Sequence, residues 1–275
     1  MSAEPEDEDK EDLEDKPAGE KLIEGTLISH LLELRNRLIR ALIAVFIALI
    51  PCSIFSKDLF ELVSRPIQAQ LPPNAHLIAT GVMAPFMTPF MLAMYIALFI
   101  AMPYVLYQVW AFVAPGLYKH EKHFALPLLV SSIALFYCGI AFVFFIIFPL
   151  MFRFFAQFTP KGVEMNTDIT NYVSFVMHMF LAFGIAFEAP VAVVLLVITG
   201  LVKLEKLRKN RGYVLILVFV VSAAVTPPDA ISMTCMAGPM YLLYECGLFF
   251  AGMALKVKRD REAREAVDAK SDANG

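Results

Sequence analysis

The sequence predicts an all-α membrane protein in which six transmembrane helices, several of them kinked by proline, form a concave cup. The 275 residues are 59% hydrophobic, with a mean hydropathy of +0.65, whereas a soluble domain is only about half apolar. The apolar residues are concentrated in long runs, and a spanning helix needs about twenty of them. Prolines lie in or beside these runs, where they remove backbone donors and bend helices. They are Pro51, Pro103, Pro149, Pro190 and Pro239.

The first 25 residues form an acidic N-terminal tail. Aspartate and glutamate crowd positions 4–15 with almost no apolar residue between them. Such a segment cannot bury enough surface to offset its ordering entropy, so we expect it to be disordered. It also lacks the positive region and cleavage pattern of a secretory signal. We expect the folded membrane domain over residues 26–252 and a charged cytoplasmic tail over residues 253–275.

Six apolar runs divide the membrane domain into predicted spans. An amphipathic segment, residues 27–40, leads into the first of them. The spans cover about residues 38–55, 89–113, 126–148, 172–199, 213–225 and 231–250. Two mixed loops without a full span, residues 56–88 and 153–171, separate some of them. The last two spans are short, so the fifth either borrows flanking residues or lies in a locally thinned bilayer.

The distribution of basic residues predicts the orientation in the membrane. Lys119, Lys122, the 203–211 loop and the 256–264 tail carry most of the bases. The two mixed loops carry few: Lys57, Arg65, Arg153 and Lys161. Since basic loops stay on the cytoplasmic side, we expect both termini in the cytoplasm and both mixed loops outside.

Several classes of function lack any sequence signal. No phosphate-binding loop, metal-ligand cluster or nucleophile–base signature is present, so we expect no enzyme activity, cofactor, metal ion or nucleic-acid partner. The cysteines all lie inside apolar runs, and we interpret them as small buried apolar residues. They are Cys52, Cys138, Cys235 and Cys246.

Two carboxylates flank the predicted spans on the cytoplasmic side. Glu33 stands four residues before Arg37, a spacing that favours a local ion pair on one helix face. Glu121 lies in the Tyr107–His123 turn between two apolar runs, where Pro115 and Gly116 mark a tight turn. Taken alone, Glu121 is best interpreted as a solvated turn residue.

Two further carboxylates lie inside or next to spans. Glu188 is well inside the fourth span, where a charged side chain costs about 2.5 kcal/mol or more and usually faces a cavity or partner. The alternative is a protonated acid hydrogen-bonded within the bundle. Asp229 precedes the last span and is well placed as a helix N-cap, which can also belong to a contact surface.

These residues fall in five motifs that together resemble the TatC family, the multispanning receptor component of the twin-arginine protein translocase. The motifs are His30–Arg37, Leu106–Glu121, Phe183–Pro190, Leu207–Tyr213 and Thr226–Asp229. Each motif is moderately specific, but the occurrence of all five in this order and at these separations argues against a chance match. The resemblance covers about residues 28–252.

The resemblance implies a receptor for signal peptides of folded cargo proteins. Glu33 and Glu121 match two cytoplasmic carboxylates implicated in reading the paired arginines. Arginine is planar, permanently charged and forks onto carboxylates, which suits this role. Phe112 matches an aromatic residue expected to pack under the signal peptide. Arg35 matches a basic position expected to hold the acids in place.

The resemblance also implies roles in transport and assembly. Glu188 matches a buried carboxylate that lines the concave face, and Pro66, Thr226 and Asp229 match positions for transport or partner contact. The last two spans resemble the docking surface for the single-span subunits TatA and TatB. Relatives often place a polar residue at Met233, so polar docking here would rest on Thr226 and neighbours such as Ser232 or Thr234. The family works as an oligomer in the bacterial inner membrane, driven by the proton gradient.

Two other classes of function stay open. A secondary transporter could move a small solute or proton past Glu188, although we see helix breaks without the internal repeat common in transporters. A passive membrane scaffold would tolerate replacement of its surface acids.

Overall fold

The computed structural model describes residues 18–68, 76–117, 125–158, 166–226 and 229–272. Almost all of them are helical. The elements are α1 (Ala18–Ile54), α2 (Ser56–Gln68), β1 (His76–Ile78), α3 (Ala84–Leu117), α4 (Ala125–Phe142), a π-helical turn (Val143–Ile147), α5 (Phe148–Phe158), β2 (Asn166–Asp168), α6 (Ile169–Ala186), α7 (Ala189–Ile198), α8 (Leu204–Lys209), α9 (Arg211–Val225) and α10 (Ala230–Asp272).

The helical membrane architecture is confirmed. Within the described residues, five stretches are long and apolar enough to cross a membrane. They cover Ser29–Ile54, Ala84–Phe112, Leu126–Phe154, Ile169–Ile198 and Ala230–Asp260. The predicted fifth span corresponds to α9, an apolar helix of 15 residues, which is about 22 Å long at 1.5 Å per residue.

The terminal helices extend further than we expected. Helix α1 begins at Ala18, inside the 1–25 tail that we expected to be disordered, and residues 1–17 lie outside the described part. The last helix continues to Asp272, so it is not short. Its charged end, rich in alanine, lysine, arginine and glutamate, favours helix without needing apolar burial.

The two mixed loops contain more structure than the sequence indicated. The first holds α2 and β1, and the following span begins at Ala84 instead of Pro89. The second holds β2, which pairs in parallel with β1, with His76 opposite Asn166 and Ile78 opposite Asp168. These strands have only three residues each, so they are too short to show the alternating pattern by which a strand is recognised in a sequence. Their pairing places both loops at one end of the helical bundle, which we call the strand end.

The prolines do not all interrupt their helices. Pro51 and Pro239 lie inside continuous helices. The third span was expected to end near Pro149, but it passes through the π-helical turn and continues as α5 to Phe158. The fourth span breaks at Phe187 and Glu188, and α7 begins at Ala189 with Pro190 in its first turn.

The core lies between α3, α4, α5, α6 and α10. Phe148, Phe183, Met179 and Met236 are among its fully buried side chains. Helix α1 packs mainly on α3, and α7 packs on α10. Cys52 is buried, but Cys138 and Cys246 are exposed, so our interpretation of all four cysteines as buried is wrong for these two. A small apolar side chain is equally compatible with a lipid-facing surface.

Chain direction defines a second end of the bundle. Helix α3 leaves the strand end at Ala84 and finishes at Leu117. Glu33 lies 21 residues before the end of α1, roughly 30 Å along the helix. We call this the distal end, and it comprises residues 30–37 of α1, residues 108–117 of α3 and helix α8.

Candidate functional site

Glu33 is held by Arg37 at the distal end. The Arg37 guanidinium donates from Nε at 2.9 Å and from Nη2 at 2.6 Å, both to Glu33 Oε1. The two side chains are 35% and 22% exposed, respectively. Because both bonds use Oε1, the second carboxylate oxygen is the one that Arg37 does not engage. The local ion pair predicted from the spacing is confirmed.

Helix α3 supports this pair from the side. Arg37 Nη1 lies 3.5 Å from the Oε1 of Gln108, which is buried. One turn further along α3, the Phe112 ring stacks on the His30 imidazole with centroids 4.3 Å apart. The acid therefore stands beside a half-buried aromatic surface, at the point where α1 and α3 meet.

Glu121 lies outside the described residues. Helix α3 ends at Leu117, five residues after Phe112. The chain therefore leaves α3 at the same end of the bundle as Glu33. Whether the two carboxylates share one site stays a prediction.

Arg35 does not contact Glu33. It is exposed, and it forms no ion pair with any described residue. Residues two apart on a helix point in different directions, whereas residues four apart are neighbours. The guanidinium that holds Glu33 is that of Arg37, which the resemblance did not indicate.

Glu188 belongs to a polar chain inside the bundle. Trp110 Nε1 donates to Ser132 Oγ at 3.0 Å, and the Ser132 hydroxyl donates to Glu188 Oε2. Ser132 is fully buried. Glu188 Oε1 is also buried and finds no hydrogen-bond partner among the described residues. Side chains from the second, third and fourth spans thus meet at one intramembrane carboxylate.

The predicted transport positions lie near the strand end. Asp229 caps α10 by accepting a 2.7 Å hydrogen bond from the Ser232 backbone N–H, which confirms the N-cap interpretation. That bond is the main cause of the lowered pKa of Asp229. Thr226 is buried at the end of α9 and donates to the Ser222 carbonyl at 2.8 Å. Pro66 lies in α2.

The polar positions around Met233 differ in accessibility. Ser232 is buried, and its hydroxyl has no partner among the described residues. Thr234 is exposed and donates to the Ala230 carbonyl at 2.6 Å. Of the hydroxyls that we considered for partner docking, only Thr234 is exposed.

Sequence reasoning missed three polar clusters. His178 lies in α6 with Tyr95 Oη 2.9 Å from its Nε2. Arg211 pairs with Glu245 at 2.7 Å between α9 and α10. The criterion that singled out Glu188, an ionisable residue inside an apolar run, also applies to His178 and Glu245.

The third missed residue is Asp168, which ties the two mixed loops together. It caps α6 by accepting from the Thr170 and Asn171 backbone N–H groups at 2.9 and 3.0 Å. It also accepts from the Thr80 hydroxyl and, at 3.1 Å, from the Thr80 N–H. The Thr80 hydroxyl and the backbone donors together lower the pKa of Asp168 to about 2. An Asp just before the apolar run of a span was the signal available for this cap.

In the described part of the chain, no three His, Cys, Asp or Glu side chains lie close enough together to hold a metal ion. Hydrogen bonds and ring stacking dominate both polar sites. The arrangement can bind cationic groups at the distal end and hold a carboxylate inside the bundle.

Comparison with known proteins gives a consistent result. Residues 29–239 match the family model described as Sec-independent protein translocase protein (TatC). A TatC protein of Azotobacter chroococcum is 51% identical over 245 residues, covering 89% of this chain and 94% of that protein. The Escherichia coli K12 protein of the same description is 49% identical over 236 residues, covering 86% and 92%. A crystal structure described as the twin arginine translocase receptor TatC superposes with a TM-score of 0.76 at 36% identity, covering 82% of this chain and 99% of that one.

Proposed function

The chain belongs to the TatC family of Sec-independent protein translocase proteins, and from this premise we propose that it is the core receptor of a twin-arginine translocation system. In this role it binds the twin-arginine signal peptides of folded proteins at the cytoplasmic face. It then nucleates the translocase that exports them across the bacterial inner membrane, driven by the proton gradient.

The observation that carries this proposal is the partly exposed Glu33 carboxylate beside the Phe112 ring. An incoming arginine can fork onto a carboxylate, and charge-assisted bonds of this kind are about twice as strong as neutral ones. Arg37 already occupies Oε1 of Glu33. A signal-peptide arginine therefore binds at Oε2 or displaces Arg37 onto Gln108, which already lies 3.5 Å away.

Glu121 supplies the second carboxylate of the proposed site. Phe112 and His30 form the floor on which the residues following the arginine pair pack. Arg35, being exposed and unpaired with Glu33, stands at the margin of the site. A fixed pair of carboxylates favours arginine over lysine because lysine acts as a single point charge.

Glu188 is proposed to be a polar lining of the concave face. Its unpartnered Oε1 atom leaves a hydrogen-bonding position that water can fill. Water at this depth would perturb the bilayer next to the bound cargo. Pro149 and Pro190 lie next to interruptions of the α-helices, and such interruptions allow the curved helices that a cup requires.

The proposed topology has six spans, with α9 as the short fifth span. Both termini and the distal end are cytoplasmic, and the strand end is outside. The basic residues of α8, namely Lys206, Arg208 and Lys209, support this orientation. A reporter enzyme fused after Gly275 and active only in the cytoplasm tests it.

TatA-type and TatB-type single-span subunits are the proposed partners, within a larger homo-oligomeric complex. Helix α9 exposes an apolar face that such helices could cover: Leu215, Ile216, Leu217, Val220 and Val221. Thr226 and Asp229 shape its strand-end border, and Pro66 lies in the neighbouring loop helix. Exposed Thr234 is the polar contact that we assign to docking in the absence of a polar residue at 233.

Photo-crosslinking tests the receptor proposal. Membranes containing the full-length chain and its partner subunits are mixed with a signal peptide that carries a photoreactive residue next to an Arg-Arg or Lys-Lys pair. We expect labelling by the Arg-Arg peptide to fall about tenfold in Glu33→Gln and in Glu121→Gln, as loss of one charged hydrogen bond predicts.

Glu205→Gln is the matched control, because Glu205 is an exposed carboxylate of α8 at the same end of the bundle. It should label like the unmodified chain. Equal labelling by Arg-Arg and Lys-Lys peptides, or undiminished labelling of a Glu33→Gln, Glu121→Gln double variant, would refute the receptor role.

A further inference from the structure

A line of polar side chains runs between α3 and α6 from the strand end toward the middle of the membrane. On α6, Thr170, Ser174 and His178 are spaced four residues apart, so they share one helix face. We call these residues, with Thr88 and Tyr95 of α3, the hydroxyl track. It is separate from the Trp110–Glu188 chain.

Hydrogen bonds connect the members of the hydroxyl track across the two helices. Thr88 Oγ1 lies 2.8 Å from Thr170 Oγ1. Ser174 Oγ lies 3.4 Å from His178 Nδ1, and Tyr95 Oη lies 2.9 Å from His178 Nε2. Between Thr170 and Ser174 the rise is one helical turn, about 6 Å, a distance that one water molecule bridges.

The outer end of the track opens into a cavity. The cavity has a volume of about 560 Å³, and Thr80, Asp168, Thr170 and Asn171 supply its polar lining. Asp168 and Thr80 hold the two loops together at this mouth. From Ile169, His178 lies nine residues along α6, or ~14 Å, which is close to the middle of a hydrocarbon core of about 30 Å.

The surroundings of His178 can accommodate both charge states of its ring. In neutral imidazole one nitrogen donates and the other accepts, whereas in imidazolium both donate. Both of its partners, Ser174 and Tyr95, are hydroxyls, and a hydroxyl can donate or accept. Adding a proton therefore requires only rotation of the hydroxyl hydrogens and leaves no donor facing another donor.

Placing the ionisable side chain of His178 inside a span costs free energy, which indicates a functional role. An ionisable residue within a span is expensive and usually lines a pathway for protons or substrates. Histidine is the side chain that titrates near neutral pH. His178 is exposed on the surface of α6, so packing does not explain its presence.

We propose that His178 is a proton-binding site inside the membrane, reached from the strand-end cavity along the hydroxyl track. A proton from bulk water adds to the unprotonated ring nitrogen, and the new N–H then donates to the hydroxyl that this nitrogen had accepted from. The proton leaves by the same route, so no other reactant is needed. The site itself does not depend on signal-peptide recognition; under the proposed orientation, its mouth faces outside.

Few other titratable groups face this site. Tyr95 is the one that contacts His178 from α3. From α4, Tyr137 donates to the Phe99 carbonyl instead. Asp168 and Glu188 are the carboxylates nearest in sequence, each ten residues away, or ~15 Å along the span. The described partners of the His178 ring are therefore two neutral hydroxyl groups.

Nuclear magnetic resonance of the full-length chain in lipid nanodiscs tests proton binding. The chain contains 5 histidines, and the ¹⁵N imidazole signal that is missing in His178→Gln identifies the ring. We expect this signal to convert from the imidazolium to the neutral pattern between about pH 5 and 8. Tyr95→Phe should keep the titration but shift its midpoint. A signal that stays neutral throughout, or a midpoint unchanged by Tyr95→Phe, overturns the proposal.

Thiol labelling in membranes tests the route. In a chain whose native cysteines are alanine, His178→Cys is exposed to a small membrane-impermeant thiol reagent from each side in turn. Val82→Cys marks the strand end, and Leu201→Cys marks the distal end, since both residues are exposed. We expect His178→Cys to react from the side that labels Val82→Cys.

Met94→Cys is the matched control for depth. Met94 is exposed and adjacent to Tyr95 on α3, but it points to another face of that helix. It should stay unlabelled from both sides. Reaction of His178→Cys only from the side that labels Leu201→Cys, or no faster than Met94→Cys, overturns the proposed route.

Discussion

The first and fourth spans differ in how much of their surface the protein covers. In the most apolar stretch of the first span 6% of the residues are buried, whereas in that of the fourth span 39% are buried. Leu38, Leu42 and Ile47 of α1 all face outward, whereas Met179, Phe180 and Phe183 of α6 lie in the core. The first span packs mainly on α3, whereas the fourth is in contact with several helices.

The difference in burial separates the proposed recognition site on the first span from the stabilising contacts of the fourth span. The Glu33 carboxylate stands on the weakly covered span, where a ligand can reach it and where its loss leaves little unsatisfied. The Glu188 carboxylate stands on the enclosed span, tied to Ser132 and Trp110. Substitutions at the fourth span should therefore change folding, and those at the first span should change binding.

The largest expected effect is at the contact between α4 and α6. A Cβ atom on Gly139 would lie 2.7 Å from the backbone oxygen of Phe183, so one of the two helices must move. Gly139→Ala should lower the free energy of unfolding by about 3 kcal/mol, the upper range for overpacked cores. Equilibrium unfolding in mixed micelles measures it.

Gly238→Ala is the control for this substitution. Gly238 is also helical, but a Cβ atom there meets nothing within 4 Å. The added methyl group should be neutral or slightly stabilising, because alanine favours helix over glycine. Equal destabilisation by both substitutions would mean that the tight α4–α6 contact is absent, and the contrast between the spans would fail.

A smaller effect is expected from the buried polar chain. Ser132→Ala removes the hydroxyl that links Trp110 to Glu188 and should cost about 1 kcal/mol, the typical net value of one hydrogen bond. Trp110 is the only tryptophan, so its fluorescence reports on this chain directly. The emission of Ser132→Ala should shift, whereas Ser131→Ala should leave it unchanged, because Ser131 donates to the Leu128 carbonyl instead. Identical spectra for both variants would contradict the link.

Sequence reasoning recovered those parts of the molecule that follow from local patterns. Long apolar runs locate the spans, a spacing of four gives the Glu33–Arg37 pair, and Asp229 before an apolar run gives a cap. These features depend on helix geometry and bilayer thickness, which are the same in every protein. The receptor assignment came from motif resemblance, not from these patterns.

Features that depend on contacts distant in sequence could not be predicted. The pairing of β1 with β2 joins residues 90 positions apart, such as His76 and Asn166, and three-residue strands carry no period. Ser132, which bonds Glu188, and Tyr95, which bonds His178, lie on other helices, whose rotation about their own axes a single sequence does not define. The π turn before Pro149, through which the third span continues, has no signal in the sequence.

The next smaller effect is at the loop contact that closes the strand end. Since the pKa of Asp168 is lowered to about 2, from an ordinary value of 3.8, the folded state favours its ionised form. That stabilisation is complete above the ordinary pKa and is lost as pH falls from about 4 through about 2. Unfolding measured over this range should show a pH dependence that Asp168→Asn removes.

Asp58→Asn serves as the control, because Asp58 is an exposed carboxylate in the first turn of α2. Its substitution should preserve the acid-range slope. A slope that persists in Asp168→Asn would mean that another carboxylate produces it.

The smallest effect on stability is expected at the Glu33–Arg37 pair, where the effect on binding is expected to be large. Pairs at this spacing contribute about 0.3–0.5 kcal/mol, so Glu33→Gln and Arg37→Gln should each unfold almost like the unmodified chain. Signal-peptide labelling should fall only in Glu33→Gln, because Arg37 competes with the incoming arginine for the same carboxylate. Arg37→Gln, which frees Oε1 of Glu33, should bind at least as well as the unmodified chain. If Arg37→Gln instead loses labelling as fully as Glu33→Gln, then Arg37 orients the carboxylate for the signal peptide and does not compete for it. The first span would then depend on an internal contact, as the fourth span does.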